Sequence, residues 1–214
     1  MILATLTAGS WMSYGTPDPG ERPADAYDRL GSLVNPRKPF EGGTAEPYVG
    51  LHLSQQSETH FFSRYTDWGF PKDCWQSFFG WHNLLAEKQL LTRLAFDAEL
   101  TRAELFKYPV FLAPLSVALA DEQVKLLEEY VERGGVLIVG PGFGACDRYG
   151  NPADPARVSA LLGHDAVAAD DAQPLLEAAD PETTVRALGA GQVVELRGNV
   201  GLRFDRHRSP LLAD

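Results

Sequence analysis

The segment from Tyr108 to Gly150 constrains the fold more than any other part of this chain of 214 residues. It reads YPVFLAPLSVALADEQVKLLEEYVERGGVLIVGPGFGACDRYG and contains two short apolar runs, Val110–Leu112 and Val136–Val139. Runs of this length and composition suit strands that are buried on both faces of a sheet. Two such strands joined by a helix form a right-handed parallel crossover, so the segment predicts an α/β fold.

The connecting segment, Asp121–Arg133, has the pattern of an amphipathic helix. Val124, Leu127 and Val131 recur at helical spacing, and the charged residues fall mostly on the opposite face. Acidic residues open the helix, which suits its dipole. Gly134-Gly135 ends it, because glycine accepts a left-handed backbone without steric cost.

The hydrophobic pattern also predicts secondary structure on both sides of the segment from Tyr108 to Gly150. It predicts strands at Val49–Leu53 and Leu94–Phe96, a helix from Asp73 to about Leu90, a short helix at Pro155–Leu162, and an antiparallel edge pair, Thr184–Leu188 with Gln192–Leu196. The segment 57–72 is aromatic and irregular. Alternating strands and helices predict a doubly wound, mostly parallel sheet in three layers, of the flavodoxin-like kind.

Three regions are expected along the chain. Residues 1–47 form an N-terminal appendage and linker rich in turn-forming residues. Residues 48–200 form the α/β domain, and residues 201–214 form a C-terminal tail.

Composition excludes several classes of partner. The net charge of -10 argues against nucleic acid or an anionic membrane as a ligand. No run of about 18 apolar residues predicts a membrane span. The first eight residues are too short and lack the basic flank of a signal peptide, so a cytoplasmic protein is expected.

Metal and disulfide chemistry are not expected either. Cys74 and Cys146 are far apart in the sequence, and two free thiols are the simpler interpretation. The histidines His52, His60 and His82 are scattered, and His52 falls within a predicted strand. We therefore assign no metal ligands and no cofactor.

Catalytic groups in such folds follow the carboxyl ends of the parallel strands. Three of these ends carry SQQS at 54–57, PLS at 114–116 and GPGFGACD at 140–147. A nucleophile elbow needs Ser or Cys on the tight turn straight after its strand, and here that turn holds Pro141, Gly142 and Phe143. Cys146 comes later, and its downstream partners would be His164 or His207. A loop thiol without function is favoured over a Cys-His site, so no catalytic residue is assigned.

The glycines of 140–144 do not indicate a phosphate loop. The Walker lysine and the immediately following helix are both missing, and the first strand is followed by SQQS rather than by a dinucleotide fingerprint.

A dense aromatic group lies between residues 68 and 81. Such side chains can form sugar platforms or interface anchors, although packing within the core is the commoner role. The candidates for carbohydrate or interface contact are Trp11, Tyr14, Trp68, Trp75 and Trp81.

The order of several motifs resembles the trimerisation domain of family 42 β-galactosidases and of related glycoside hydrolases. They are VGLHLSQQS at 49–57, YPVFLAP at 108–114, LADEQ at 119–123, LEEYVERGGVLIV at 127–139, the GACDRYGN loop at 144–151 and GAGQVVEL at 189–196. The resemblance covers residues 48–196. One departure is Ala120, which stands where the family usually has a Ser or Thr helix cap.

This resemblance implies a class I glutamine amidotransferase-like fold that has lost its catalytic cysteine. It implies a non-catalytic domain that assembles a homo-oligomer and helps to wall a neighbouring subunit's sugar site, with carbohydrate as a partner. The catalytic TIM barrel of the family, about 250 residues, has no room here, and the appendage at residues 1–47 resembles the end of that barrel plus a linker. The alternatives are a stand-alone amidotransferase-like or trehalose-utilisation-like enzyme and a sugar-binding module.

Overall fold

The structure is a computed structural model that describes residues 46–65, 72–167 and 182–207, with the backbone alone at 62–65, 72–75, 182 and 206–207. The chain divides between Glu46 and Pro47 into two units. The architecture below is that of the second unit.

Six strands and six helices make up the described part of this unit. The strands are β1 Val49–Leu53, β2 Thr92–Phe96, β3 Val110–Ala113, β4 Val136–Val139, β5 Glu182–Leu188 and β6 Gly191–Arg197. The helices are α1 Gln55–Tyr65, α2 Lys72–Glu87, α3 Arg102–Leu105, α4 Asp121–Glu132, α5 Ser159–Leu162 and α6 Val200–His207. Single 3-10 turns occur at Asp97–Glu99 and Pro155–Val158.

The strands form one sheet in the order β2-β1-β3-β4-β6-β5. All neighbours are parallel except β5, which pairs antiparallel with β6 at the edge. The chain changes direction of winding between β1 and β3, as in flavodoxin-like sheets. The predicted fold class is therefore confirmed, including the antiparallel edge pair.

Two apolar layers cover the two faces of the sheet. Phe111 and Ala113 of β3 point into the layer beneath α4 and α5, whereas Leu112 points into the layer beneath α2 and α6. This alternation follows from the two-residue period of a strand. Buried strands flanked by helices on both faces give a three-layer domain.

Helices α1 and α6 were not predicted. The inward face of α1 carries Ser57, His60 and Phe61, all buried, so its apolar period is weak. Helix α6 is only eight residues long and lies in the expected tail. It is held by a close crossing with α2, where Gly80 and Gly201 meet.

Candidate functional site

The turn after β4 is packed with backbone rather than with a reactive side chain. A Cβ atom at Gly140 would lie 2.0 Å from the carbonyl oxygen of Pro114. Gly142 and Gly144 have φ angles of 71° and 65°, a left-handed backbone that favours glycine. Phe143 between them is buried in the core. This turn therefore closes over the end of the sheet and holds no nucleophile.

Cys146 lies beyond the turn and is 1% exposed. Its backbone N–H donates to the carbonyl of Val117 at 2.9 Å, and its carbonyl accepts from Leu119 at 3.1 Å. The residue thus pairs like a strand, and its side chain is buried. A buried thiol is a poor nucleophile, and the absence of a catalytic role for Cys146 stays a prediction.

Of the two histidines predicted as possible partners of Cys146, only His164 has a side chain among the described residues. His164 lies with Nε2 2.9 Å from Oε2 of Glu195 and Nδ1 2.8 Å from the carbonyl oxygen of Asp165. The hydrogen bond to Glu195 raises the pKa of His164 above its ordinary value. The side chain of His207 lies outside the described residues.

A second cluster lies where β1, β2 and β3 end. His52 Nδ1 is 2.7 Å from Ser116 Oγ, and His52 Nε2 is 3.2 Å from Asp97 Oδ1. Ser54 Oγ donates to the same Oδ1 at 3.1 Å. Each strand end contributes to the cluster, which occupies the crevice where such sheets usually bind a ligand.

The Asp97 side chain caps the first turn of α1. Its Oδ2 accepts the backbone N–H of Gln56 at 2.9 Å, while Ser54 Oγ accepts the N–H of Ser57 at 3.0 Å. Burial raises the pKa of Asp97, but the hydrogen bonds and the charge of His52 outweigh it and hold the pKa below its ordinary value. A carboxylate of the chain itself therefore fills the anion position at this helix N-terminus.

Ser116, His52 and Asp97 follow one another in the order of a catalytic Ser-His-Asp triad. However, Ser116 and His52 are buried, so a substrate cannot reach the serine. Ser116 is 1% exposed, and His52 is 3% exposed. His52 also faces the serine with Nδ1, and its Nε2 has no aligned hydrogen-bond acceptor. A relay needs a nucleophile that substrate can reach, so these contacts fasten three strand ends together instead.

A small pocket that is open to solvent adjoins this cluster. Its described lining consists of His52, Leu53, Ser54, Ser57, Glu58, Phe61, Phe78, Pro114 and Leu115. The cavity therefore lies at the reversal of strand order, between β1 and β3, with α1 and α2 above it.

Only some of the aromatic candidates lie among the described residues. Trp81 is 9% exposed and belongs to the core layer beneath α2 and α6. This position fits the packing role that competes with sugar or interface contact. Trp75 lies in α2, where the backbone alone is described, and Trp11, Tyr14 and Trp68 lie outside the described residues. Their proposed role in carbohydrate or interface contact stays a prediction.

The sequence predicts Ser54 and Ser116 at strand ends and His52 within a strand, but it does not single out Asp97 or Glu58. The signal was available for Asp97, because this residue directly follows the end of β2. The joining of three strand ends through one histidine depends on tertiary geometry.

Within 46–65, 72–167 and 182–207, no three His, Cys, Asp or Glu residues gather as metal ligands. Within the same ranges, no helix is long and apolar enough to cross a membrane.

No protein-family model and no curated protein matches the chain. Among solved structures, a catalytic mutant of the GH42 β-galactosidase from G. stearothermophilus is 12% identical with a TM-score of 0.65, covering 95% of this chain and 36% of that one. The β-galactosidase from Rahnella sp. R3 is 12% identical with a TM-score of 0.61, covering 88% of this chain and 35% of that one. An exo-β-1,4-mannosidase from an Opitutaceae bacterium is 14% identical with a TM-score of 0.56, covering 94% and 40%.

The chain thus spans about a third of the length of the GH42 enzymes it resembles. Its α/β fold is related to one part of these glycoside hydrolases.

Proposed function

We propose that this chain is a non-catalytic assembly domain, of the trimerisation type, of a glycoside-hydrolase-like protein. The observation that carries the proposal is the closed turn after β4, where Gly140 packs against Pro114 and no nucleophile is present. An amidotransferase-like ancestor that lost its cysteine accounts for such a turn.

A second feature supports a role without catalysis. Doubly wound folds bind ligand phosphates or carboxylates at helix N-termini beside the switch point. Here Asp97 fills that position at α1 with its own carboxylate. The chain itself thus occupies both the turn after β4 and the N-terminus of α1, the two places where this fold would hold catalytic groups or a ligand. This disfavours the alternative of a stand-alone amidotransferase-like or trehalose-utilisation-like enzyme.

The surface offers a contact for a second copy. Tyr48, Leu90 and Leu91 are 51%, 39% and 38% exposed, and they lie together because the N–H of Tyr48 donates to the carbonyl of Leu91 at 2.9 Å. We call these three residues the amino-end patch. Adjacent exposed apolar side chains favour a protein interface over free solvent. The proposed partner is another copy of the chain, in a homo-oligomer.

Light scattering with size-exclusion chromatography tests the assembly role. The chain is expected to form an oligomer, and Leu91→Asp is expected to shift the mass toward the monomer. Val185→Asp is the matched control, because Val185 is 60% exposed on the opposite edge strand β5. A monomer at every concentration contradicts self-assembly by this domain. Equal masses for both variants and the parent remove the amino-end patch from the interface.

A contribution to a sugar site in the larger protein is part of the same proposal. Trp11 and Tyr14 are the residues proposed to approach carbohydrate. A nitrophenyl galactoside assay tests the non-catalytic role: the chain alone should release no nitrophenol, and release that survives further purification overturns the proposal. Calorimetric titration with galactose then separates sugar binding from assembly.

A further inference from the structure

The loop that follows α5, residues 163–167, meets the sheet through a histidine ring that faces two hydrogen-bond acceptors. His164 Nε2 lies 2.9 Å from Oε2 of Glu195 on β6, and His164 Nδ1 lies 2.8 Å from the carbonyl oxygen of Asp165. A carbonyl oxygen and an ionised carboxylate can only accept hydrogen bonds, and a neutral imidazole has a single N–H. Only the protonated ring, with two N–H groups, therefore donates to both oxygens.

The loop is also tied to the residues directly before it. The N–H of Ala166 donates to the carbonyl of Pro155 at 2.9 Å, and Ser159 Oγ donates to Oδ1 of Asp165 at 2.7 Å. These contacts join the loop to the 3-10 turn and to α5, whereas the histidine contact crosses to strand β6. Protonation of the ring therefore bears on the attachment of the loop to the sheet.

Helix α5 has an anchor that does not titrate. Arg186 of β5 donates through Nη1 to the carbonyl oxygens of Ala160 and Leu161, and its side chain lies beside Gly163. A guanidinium group keeps its charge throughout the pH range in which proteins are folded. The helix thus stays fastened to β5 at any such pH, and a change at His164 acts on the loop alone.

Charged groups of both signs surround the ring. Among the described residues they are Glu195 and Arg197 of β6, Arg186 of β5 and Asp165 of the loop. The hydrogen bond to Glu195 and that to the carbonyl of Asp165 raise the pKa of His164, and the charge of Arg197 opposes them. The side chain of Glu195 is 14% exposed, against 38% for that of His164, so the ring reaches from solvent to a half-buried acceptor.

We propose that His164 is a pH-dependent switch that holds residues 163–167 against β6 while its ring is protonated. Loss of the proton leaves one ring nitrogen with a lone pair that faces an oxygen, and it removes the charge that attracts Glu195. The loop is therefore held at acidic pH and opens more often as the pH rises through the pKa of the ring. This switch goes beyond the assembly role and does not depend on it.

Hydrogen exchange of the Ala166 amide tests the switch. Nuclear magnetic resonance follows it from about pH 5.5 to 8.5, expressed as a protection factor so that the intrinsic pH dependence of exchange is removed. The protection should fall by about threefold or more, because a hydrogen bond is lost, and the fall should coincide with the titration of the His164 ring. The amide of Leu127, in the core under α4, is the internal control and should show no such step.

Glu195→Gln separates the ring contact from other effects of pH. The glutamine amide accepts from the protonated ring and donates to Nε2 of the neutral ring, so the contact is satisfied in both states. Protection of Ala166 should then be independent of pH. Constant protection of Ala166 through the ring titration of the parent overturns the proposal, as does a step of the same size in Glu195→Gln. An equal step at Leu127 also overturns it, because the pH would then act on the whole fold.

Discussion

The carboxylate of Asp97 accepts the backbone N–H of Gln56 at 2.9 Å. A residue at the end of edge strand β2 therefore caps helix α1, which follows the neighbouring strand β1. Asp97 follows β2, while Gln56 lies in the first turn of α1, directly after β1. The contact fastens the edge of the sheet to the switch point. It also leaves the first turn of α1 with an internal anion in place of a bound one.

Removal of this carboxylate should loosen the edge of the sheet. We expect Asp97→Ala to lower the free energy of unfolding by about 2 kcal/mol, because it exposes an uncapped helix and leaves His52 beside an empty space. Urea denaturation measures the change, and hydrogen exchange should show faster opening of α1. Asp121→Ala, at an exposed first-turn carboxylate of α4, is the control and should cost less than about 1 kcal/mol. Equal losses for the two variants would contradict the special role of Asp97.

The same carboxylate predicts a dependence on acid. Because the folded-state pKa of Asp97 lies below the ordinary value of 3.8, ionised Asp97 stabilises the fold above that value. The contribution is lost as the pH falls through the lowered pKa. Urea midpoints of the parent and of Asp97→Asn, measured from about pH 6 downward, should therefore converge in acid. A constant difference across the range would show that the carboxylate acts through shape alone.

The fold was accessible from the sequence where local patterns agree with burial. The apolar runs of β3 and β4 and the stripe of α4 predicted a parallel crossover, and the GPGFG turn showed that no nucleophile follows β4. Helix α1 escaped prediction because its buried face carries Ser57 and His60 in place of aliphatic residues. The cluster around His52 escaped because its members are separated by up to 64 residues in the chain and meet only in the folded sheet.

The crossing of α2 and α6 predicts an unusual response to alanine. In a helix interior, Gly→Ala normally stabilises by about 0.5–1 kcal/mol. A Cβ atom at Gly80 would lie 1.7 Å from the carbonyl oxygen of Gly201, so Gly80→Ala should instead destabilise by at least about 2 kcal/mol. Thermal unfolding measures the sign. Ala86→Gly, at an exposed site in the last turn of α2, reports the effect of glycine on helix propensity without a close crossing. A rise in stability for Gly80→Ala would contradict the close crossing.

Tyr130 should contribute through its hydroxyl group. The buried hydroxyl donates to one of two carbonyl oxygens, those of Tyr108 at 3.0 Å and Val136 at 3.3 Å, and so ties α4 to the starts of β3 and β4. Tyr130→Phe leaves these carbonyls without that donor and should cost about 1 kcal/mol of unfolding free energy. Tyr149→Phe is the matched control, because Tyr149 is 81% exposed. Identical urea midpoints for the two variants would rule out a stabilising hydroxyl at Tyr130.

The His164–Glu195 pair predicts a pH dependence of stability with the opposite sign. The hydrogen bond to Glu195 raises the pKa of His164 above its ordinary value of 6.5, so the imidazolium stabilises the fold below that value. This contribution is lost as the pH rises through the raised pKa. It should be small, because the His164 side chain is 38% exposed and solvent screens the pair. A nuclear magnetic resonance titration of the His164 ring should show the raised pKa. In Glu195→Gln, the pKa of His164 should be lower. If the titration midpoint is the same in both proteins, Glu195 does not hold the proton on His164, and the link between the loop after α5 and strand β6 is not electrostatic.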